Sequence, residues 1–382
     1  MRIRTCVFAA ASLMLAAPVG AKVLTVSPGQ SIQAAVDQAQ PGDTVKVQPG
    51  TYHESGTPCP TDASHTCAVV VTRPNVALVG ARGFKTKVVL ENPGGQDQGI
   101  AIAPPGANGA TCLSDVSQRL SGAAVTGFTV NGFDGEGIFL FCVDKFVVQF
   151  NETNDNAEYG VFPSHATNGR VAFNLATGSN DTGLYIGQSS DVHVHHNAAQ
   201  GNVSGFEIEN STRVHLDHNV ATGNTGGILS FTLPFLDVNS NSDNRIDHNF
   251  VKANNKPNTC VDPTDAVCGV PQGTGVLMLA VDANQADHNL VLGNDSYGIA
   301  VANFCVAQNL DPTTCAALGI DPNPDDNRVD HNVAKQNGAN PSPLIQPVFA
   351  VDLAWDTTGT GNCWAKNLNG TEFPDPLPAC SH

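Results

Sequence analysis

The feature that most constrains this chain is a returning asparagine. Taking the last residue of Asp217-His218-Asn219 as a mark, matching residues stand at Asn151, Asn174, Asn197, Asn219, Asn249, Asn289 and Asn332. The first four are separated by 23, 23 and 22 residues, and the later gaps of 30, 40 and 43 contain visible insertions. Five residues after most marks comes a second asparagine (Asn156, Asn202, Asn224, Asn254, Asn294, Asn337). Three or four residues beyond it a glycine opens a β-rich run: Gly160, Gly183, Gly205, Gly227 and Gly298. A unit of ~22 residues cannot bury a hydrophobic face alone, so such units must stack on one another.

Each unit reads as strand, asparagine turn, glycine, strand, turn. Val192 and Val194, Val214 and Leu216, Phe206 and Ile208, and Leu184 and Ile186 alternate along their runs and share one face. The architecture that satisfies this pattern is all-β: a right-handed parallel β-helix of about ten coils, ~4.8 Å apart, with asparagine amides bonding from coil to coil. The segment "VSPGQSIQAAVDQAQPGDTVKVQPGTYHE" reads as a strand, a short amphipathic helix (Ile32, Ala35, Val36, Ala39) stopped at Pro41-Gly42, and a second strand. It is a cap for the open end of the solenoid. With "NVALVGARG" after it, it resembles the capping entry and first coils of pectin-lyase-like β-helix proteins. The runs "GLYIGQS", "GFEIENS" and "NTGGILSF" resemble exported bacterial β-helix repeat proteins. That resemblance covers nearly the whole mature chain and implies the fold; it transfers no reaction, because this architecture hosts lyases, hydrolases, epimerases, adhesins and scaffolds.

Arg2 and Arg4 precede an apolar run from Cys6 to Ala17, and Val19-Gly20-Ala21 supplies small residues before Lys22. This predicts a signal peptide over residues 1–21 and a periplasmic or secreted product without a transmembrane segment. Residues 22–340 are expected to form the β-helix with its N-terminal cap, and residues 341–382 to leave the repeat as a disulfide-linked C-terminal cap around Trp355 and Trp364. Beyond Cys6, ten cysteines remain, an even number suited to an oxidising compartment. Their order suggests local pairs closing insertion loops: Cys59 with Cys67, Cys112 with Cys142, Cys260 with Cys268, Cys305 with Cys315, and Cys363 with Cys380. The 18 Lys and Arg, less Arg2 and Arg4, leave 16 against 35 Asp and Glu, a net charge of −19. Such a field repels nucleic acid and disfavours polyanionic glycans unless calcium bridges the charges; neutral substrates or cationic partners fit better.

The Asp-His-Asn triplet, present four times, invites a catalytic or metal reading, since a stacked Asp/His ladder can bind zinc or copper. The coil alignment points to structure instead. The histidines align with Phe150 and Phe173, as flat stackable fillers, and the aspartates align with Gln149, Ala172 and His195, as an outward, solvated column. The glycine-led strands differ in kind. Two and four residues after each glycine, successive coils present Phe139 and Phe141, Phe162 and Ser164, Tyr185 and Gly187, Glu207 and Glu209, then Leu229 and Phe231. Glu207 and Glu209 beside an aromatic platform are the candidate acid–base pair, because partial desolvation raises a carboxyl pKa and aromatic faces stack on sugars. His165 joins them as a third catalytic candidate, and Tyr159, Phe162, Tyr185 and Gln188 are the candidate substrate-binding residues.

The expectation is therefore a protein that binds and processes polysaccharide as a glycoside hydrolase, lyase or epimerase. The alternative is a non-catalytic envelope scaffold that binds a partner protein through Leu229, Phe231, Leu277 and Leu279, an apolar strip that the disulfide loops or a partner must cover. The Gly-His-Gly and Arg-Ile-Lys signatures of polygalacturonases are absent. "YGVFPSH" is similar to the Tyr-Gly-Phe-Asp-Pro-His motif of alginate epimerases, but Phe162 stands where that motif has Asp and His165 is displaced by one residue. No cofactor is required by any of this. Calcium enters only through "DVNSNSD", where Asp237, Asn239, Asn241 and Asp243 are spaced like the start of a calcium loop without its glycine or final glutamate.

Overall fold

In the computed structural model, residues 20–81 and 87–381 are described; the expected signal peptide lies outside them except for its last two residues. Each coil passes through three sheets, of 14, 10 and 12 strands. One coil runs Thr167–Ala172, Leu175–Thr177, Thr182–Gly187, and the next Ser190–His195, Ala198–Gln200, Ser204–Glu209. The pairing is parallel and in register, with Val171, Val194 and Leu216 stacked in one column. The residues assigned to the inner face by alternation are all buried, Phe206, Ile208, Leu184 and Ile186 among them. The expected cap helix is present at Ile32–Gln38, with Ile32 and Val36 buried. Its N-terminus is held by Ser31, which accepts from the Ala34 N–H, and by the Glu54 carboxylate, which accepts from the Ile32 N–H at 2.6 Å.

The asparagine turn explains the repeat. The residue before each mark adopts a left-handed conformation: φ is +59° at Phe150, +57° at Phe173 and +54° at His218 and His288. Bending the chain there drops the asparagine amide into the stack. Asn219 Nδ2 donates to Asn249 Oδ1 at 3.1 Å and to Val194 O at 2.9 Å, while Asn249 Oδ1 also accepts the Asn219 backbone N–H. The ladder continues to Asn367. A second ladder joins Asn202, Asn224, Asn254, Asn294 and Asn337 and ends on the Asp352 carboxylate. A third, unmarked in the repeat as read above, joins Asn244, Asn284, Asn327 and Asn362 at the remaining turn. The coil-opening glycines serve close approach: a Cβ on Gly205 would meet the carbonyl oxygen of Gly227 at 2.6 Å.

All five expected disulfides are formed. The C-terminal stretch departs from expectation, because it does not leave the repeat. Leu353–Trp355 and Cys363–Ala365 extend two of the sheets, Asn362 and Asn367 terminate two ladders, and the Trp355 and Trp364 rings pack 5.5 Å apart over the end.

The triplet also requires a correction. The histidines do stack: His196, His218, His248, His288 and His331 are nearly parallel, with successive ring centroids 4.9–5.1 Å apart. The aspartates, however, are buried rather than solvated, with Asp217 7% exposed and Asp287 1%. Each is covered from two sides. Asp247 Oδ2 lies 2.7 Å from the Nδ1 of the following His248, and its Oδ1 lies 2.6 Å from His215 Nε2 of the preceding coil. Arg245 plays the His215 role for Asp287. Burial pushes the Asp247 carboxyl up, but the His215 and His248 hydrogen bonds outweigh it and hold the group down at about 2.

Candidate functional site

The site lies on the outer face of the 12-stranded sheet. Strand register places Tyr185, Glu207, Leu229, Leu277, Ala300 and Ala354 in one column running along the solenoid. Beside it runs a second column of Gly187, Glu209, Phe231, Leu279 and Ala302. Insertions between coils rise over this face, two of them closed by Cys260–Cys268 and Cys305–Cys315, and enclose a groove of about 1150 Å³.

One end of the groove is acidic and aromatic. Glu207 is 4% exposed and Glu209 8% exposed. Tyr185 Oη donates to Glu209 Oε1 at 2.6 Å. Gly187 makes that contact possible, since a Cβ there would meet the Tyr185 ring at 2.2 Å. Tyr159, Phe162 and Tyr185 form one ring cluster, with centroids 4.3 to 5.3 Å apart. Burial raises the carboxyls of Glu207, Glu209 and Asp181. It lifts Glu209 to about 7 against the lowering effect of the Tyr185 hydrogen bond, and Asp181 to about 6. Glu207 is pushed well above the usual carboxylate range, by burial first and then by the Asp181 charge. Burial likewise keeps the Tyr185 phenol protonated far above its ordinary range. Two carboxyls whose environments separate their pKa values can divide the roles of acid and base.

Asp181, Glu158 and Glu136 belong to the same acidic cluster and were missed in the sequence. Burial raises Glu158, and raises Glu136 to about 7 with help from the Glu158 charge. The available signal was an acidic residue one or two positions before the coil-opening Gly137, Gly160 and Gly183 in three successive coils. Eight carboxylates line the groove in all, and no Lys, Arg or His lines it among the described residues.

The other expected site residues are placed differently. Gln188 lines the groove, but its Oε1 accepts the backbone N–H groups of Asp237 and Val238 and so holds an insertion loop. Phe162 supports the tyrosines and does not line the groove itself. His165 is 4% exposed, outside the groove lining, with Nδ1 2.9 Å from Ser164 Oγ and Nε2 3.2 Å from Asp237 Oδ2. That removes it from the acid–base set. The calcium-loop pattern is also broken up: Asn241 Oδ1 accepts from Ser230, Asn244 and Asn284 inside the third ladder, while Asp237 faces His165. A different set of ligand atoms does converge. His193, His215 and Asp217, on the outer face of the 14-stranded sheet, bring theirs within 4.8 Å of one another and can coordinate a metal ion. The apolar strip is covered by the chain's own loops, with Val267, Val270 and Phe304 packed on Leu229, Phe231 and Leu279.

A family model described as the right-handed β-helix region matches residues 107–233. The protein is a right-handed parallel β-helix protein. The A-module of the mannuronan C-5 epimerase AlgE4 from Azotobacter vinelandii superposes with a TM-score of 0.58 over 92% of each chain, at 17% identity. The periplasmic alginate epimerase AlgG gives a TM-score of 0.59 at 14% identity, over 91% of this chain and 73% of that one. The catalytic domain of a GH87 α-1,3-glucanase gives 0.52 at 10% identity, over 95% and 68%. At these identities the likeness is one of fold. No curated protein sequence matches the chain. No helix among the described residues is long and apolar enough to cross a membrane.

Proposed function

We propose that the groove binds a neutral or amine-bearing glycan and cleaves it by carboxyl acid–base chemistry, as a glycoside hydrolase rather than a lyase or epimerase. The observation that carries this reading is the groove's charge: eight Asp and Glu side chains, of which burial keeps Glu207 protonated, and no Lys, Arg or His among its lining residues. Lyase and epimerase chemistry removes a proton beside a sugar carboxylate and needs positive groups to hold the developing charge. Uronate polymers such as those named for the two epimerases would also be repelled here. A neutral sugar meets neither obstacle, and a protonated amine gains from the field.

Glu207, which burial keeps protonated, serves as the general acid toward the leaving oxygen. Glu209, with its carboxyl at about 7, takes the proton of the attacking water, and Tyr185 orients it through their hydrogen bond. The rings of Tyr159 and Tyr185 offer the sugar an apolar face. Five disulfides suit an oxidising compartment, so the proposed location is the periplasm or the medium.

The test is release of reducing ends from a panel of neutral, amine-bearing and uronate oligosaccharides. Turnover is expected on the first two classes only. Preference for uronates would refute the charge argument, and turnover unchanged in both Glu207→Gln and Glu209→Gln would refute the mechanism.

A further inference from the structure

We infer that the ligand of this groove is an amphiphile, a sugar head bearing an alkyl or acyl chain, with the chain running along Leu229, Leu277, Ala300 and Ala354. The inference rests on the reading above that the acidic end takes a sugar, and it concerns the half of the groove that a sugar leaves unexplained.

The groove changes character along the solenoid. The column that supplies Tyr185 and Glu207 in two coils supplies Leu229, Leu277, Ala300 and Ala354 in the next four. The neighbouring column changes from Glu209 to Phe231, Leu279 and Ala302 in the same direction. At ~4.8 Å per coil, the apolar part extends roughly 14 Å beyond the acidic part, the reach of a medium-length extended chain. Leucine gives way to alanine at Ala300, Ala302 and Ala354, and Tyr297, Ile345 and Phe349 pack beside Ala300 and Ala354 as further apolar lining of the groove.

The insertion loops do not use up this surface. Their apolar side chains pack on Leu229, Phe231 and Leu279, and half-buried Leu277 and Ala302 line the same groove as the acidic end. Exposed apolar side chains also stand at its rim, beside Asp262 and Asp265. Val261 is 78% exposed, Leu344 64% and Val306 43%, and all three line the groove. A hydroxyl-covered glycan gains nothing from such walls and would lose hydrogen bonds to water against them. A hydrocarbon chain gains from every methylene it buries. The head must be uncharged or cationic, because the carboxylates beside it have no counter-cation in the groove.

Binding of methyl, hexyl and octyl glucoside, each below its micellar concentration, tests this on the intact protein, with octanol and octyl glucuronide as further arms. Weak binding is read by ligand-observed NMR and tight binding by calorimetry. Each added methylene should tighten binding about fourfold, so octyl glucoside should exceed hexyl glucoside by about tenfold or more. Octanol and, at pH 8, octyl glucuronide should bind much more weakly than octyl glucoside. Leu277→Trp should abolish the gain from the chain and leave methyl glucoside binding unchanged; Ala302→Phe, checked for native circular dichroism, is the second variant that should do the same. Equal affinity for methyl and octyl glucoside would overturn the inference while leaving the sugar reading intact. Octanol binding as tightly as octyl glucoside would overturn both, and so would no binding by any probe. Octyl glucuronide equalling octyl glucoside would overturn the assignment of the head.

Discussion

Replacing Glu209 with glutamine should change how the fold responds to pH far more than it changes the fold. In the native protein Glu209 keeps its proton up to about 7, against an ordinary value of 4.5, because burial disfavours the carboxylate. In the unfolded chain the proton leaves near the ordinary value. The native state therefore binds the extra proton, and the stability this provides is fully present below about pH 4.5 and is lost as pH rises through 7. A shift of two and a half units, at 1.36 kcal/mol each, makes the loss about 3 kcal/mol by pH 8.5. Glutamine is neutral throughout and can still accept the Tyr185 hydroxyl, so the variant should lack this part of the slope. At pH 5 wild type and Glu209→Gln should agree within about 1 kcal/mol, and at pH 8.5 the variant should be the more stable by about 3 kcal/mol. Equilibrium urea unfolding of both proteins at the two pH values measures the double difference. Equal losses in the two proteins would refute the claim that Glu209 is held protonated by its surroundings.

Two further outcomes follow from the ladders. Asn249→Ala removes the acceptor of the Asn219 backbone N–H and the donor to Leu216 O, both buried, and should cost about 3 kcal/mol in urea unfolding; a cost below 1 kcal/mol would show that water replaces the amide. Asp247, held at about 2 against an ordinary 3.8, contributes stability above pH 3.8 that is lost as pH falls through 2. The stability gap between wild type and Asp247→Asn should be largest near pH 5, where Asp247 is ionised and His215, whose pKa Asp247 raises, keeps its proton, and should close as pH approaches 2; a gap that stays constant down to pH 2 would deny the carboxylate its role.

The solenoid was legible because its determinants repeat. Each asparagine mark sits after a left-handed residue, and that backbone need recurs in every coil, so Phe150 and His218 align despite their different chemistry. The outward face was less legible, because alternation tells which way a side chain points and not what covers it. Asp217 and Asp287 point outward as expected, and are buried by histidine and arginine side chains of neighbouring coils. The same gap hid the groove. Glu207 and Glu209 were visible as an unrepeated pair, but Asp181 and Glu158 sit in the turn before the strand, where the repeat gives no strand phase. His165 follows its strand in the same left-handed conformation as Gln188 in the next coil, which lines the groove, but its ring faces Asp237 of an insertion loop, a partner far away in sequence.

The most direct measurement of the central claim is the pH dependence of kcat/KM for a neutral oligosaccharide, in wild type and in Glu207→Gln. With Glu209 as base, activity should fall on the acid side of about 7 as that carboxylate takes up its proton, and should fall again at higher pH as Glu207 loses its own. Glu207→Gln should lose about 10²- to 10⁴-fold in rate and with it the alkaline limb. A profile that is flat across pH 5 to 9, or one that keeps its alkaline limb without Glu207, would contradict the assignment of this groove to carboxyl acid–base chemistry.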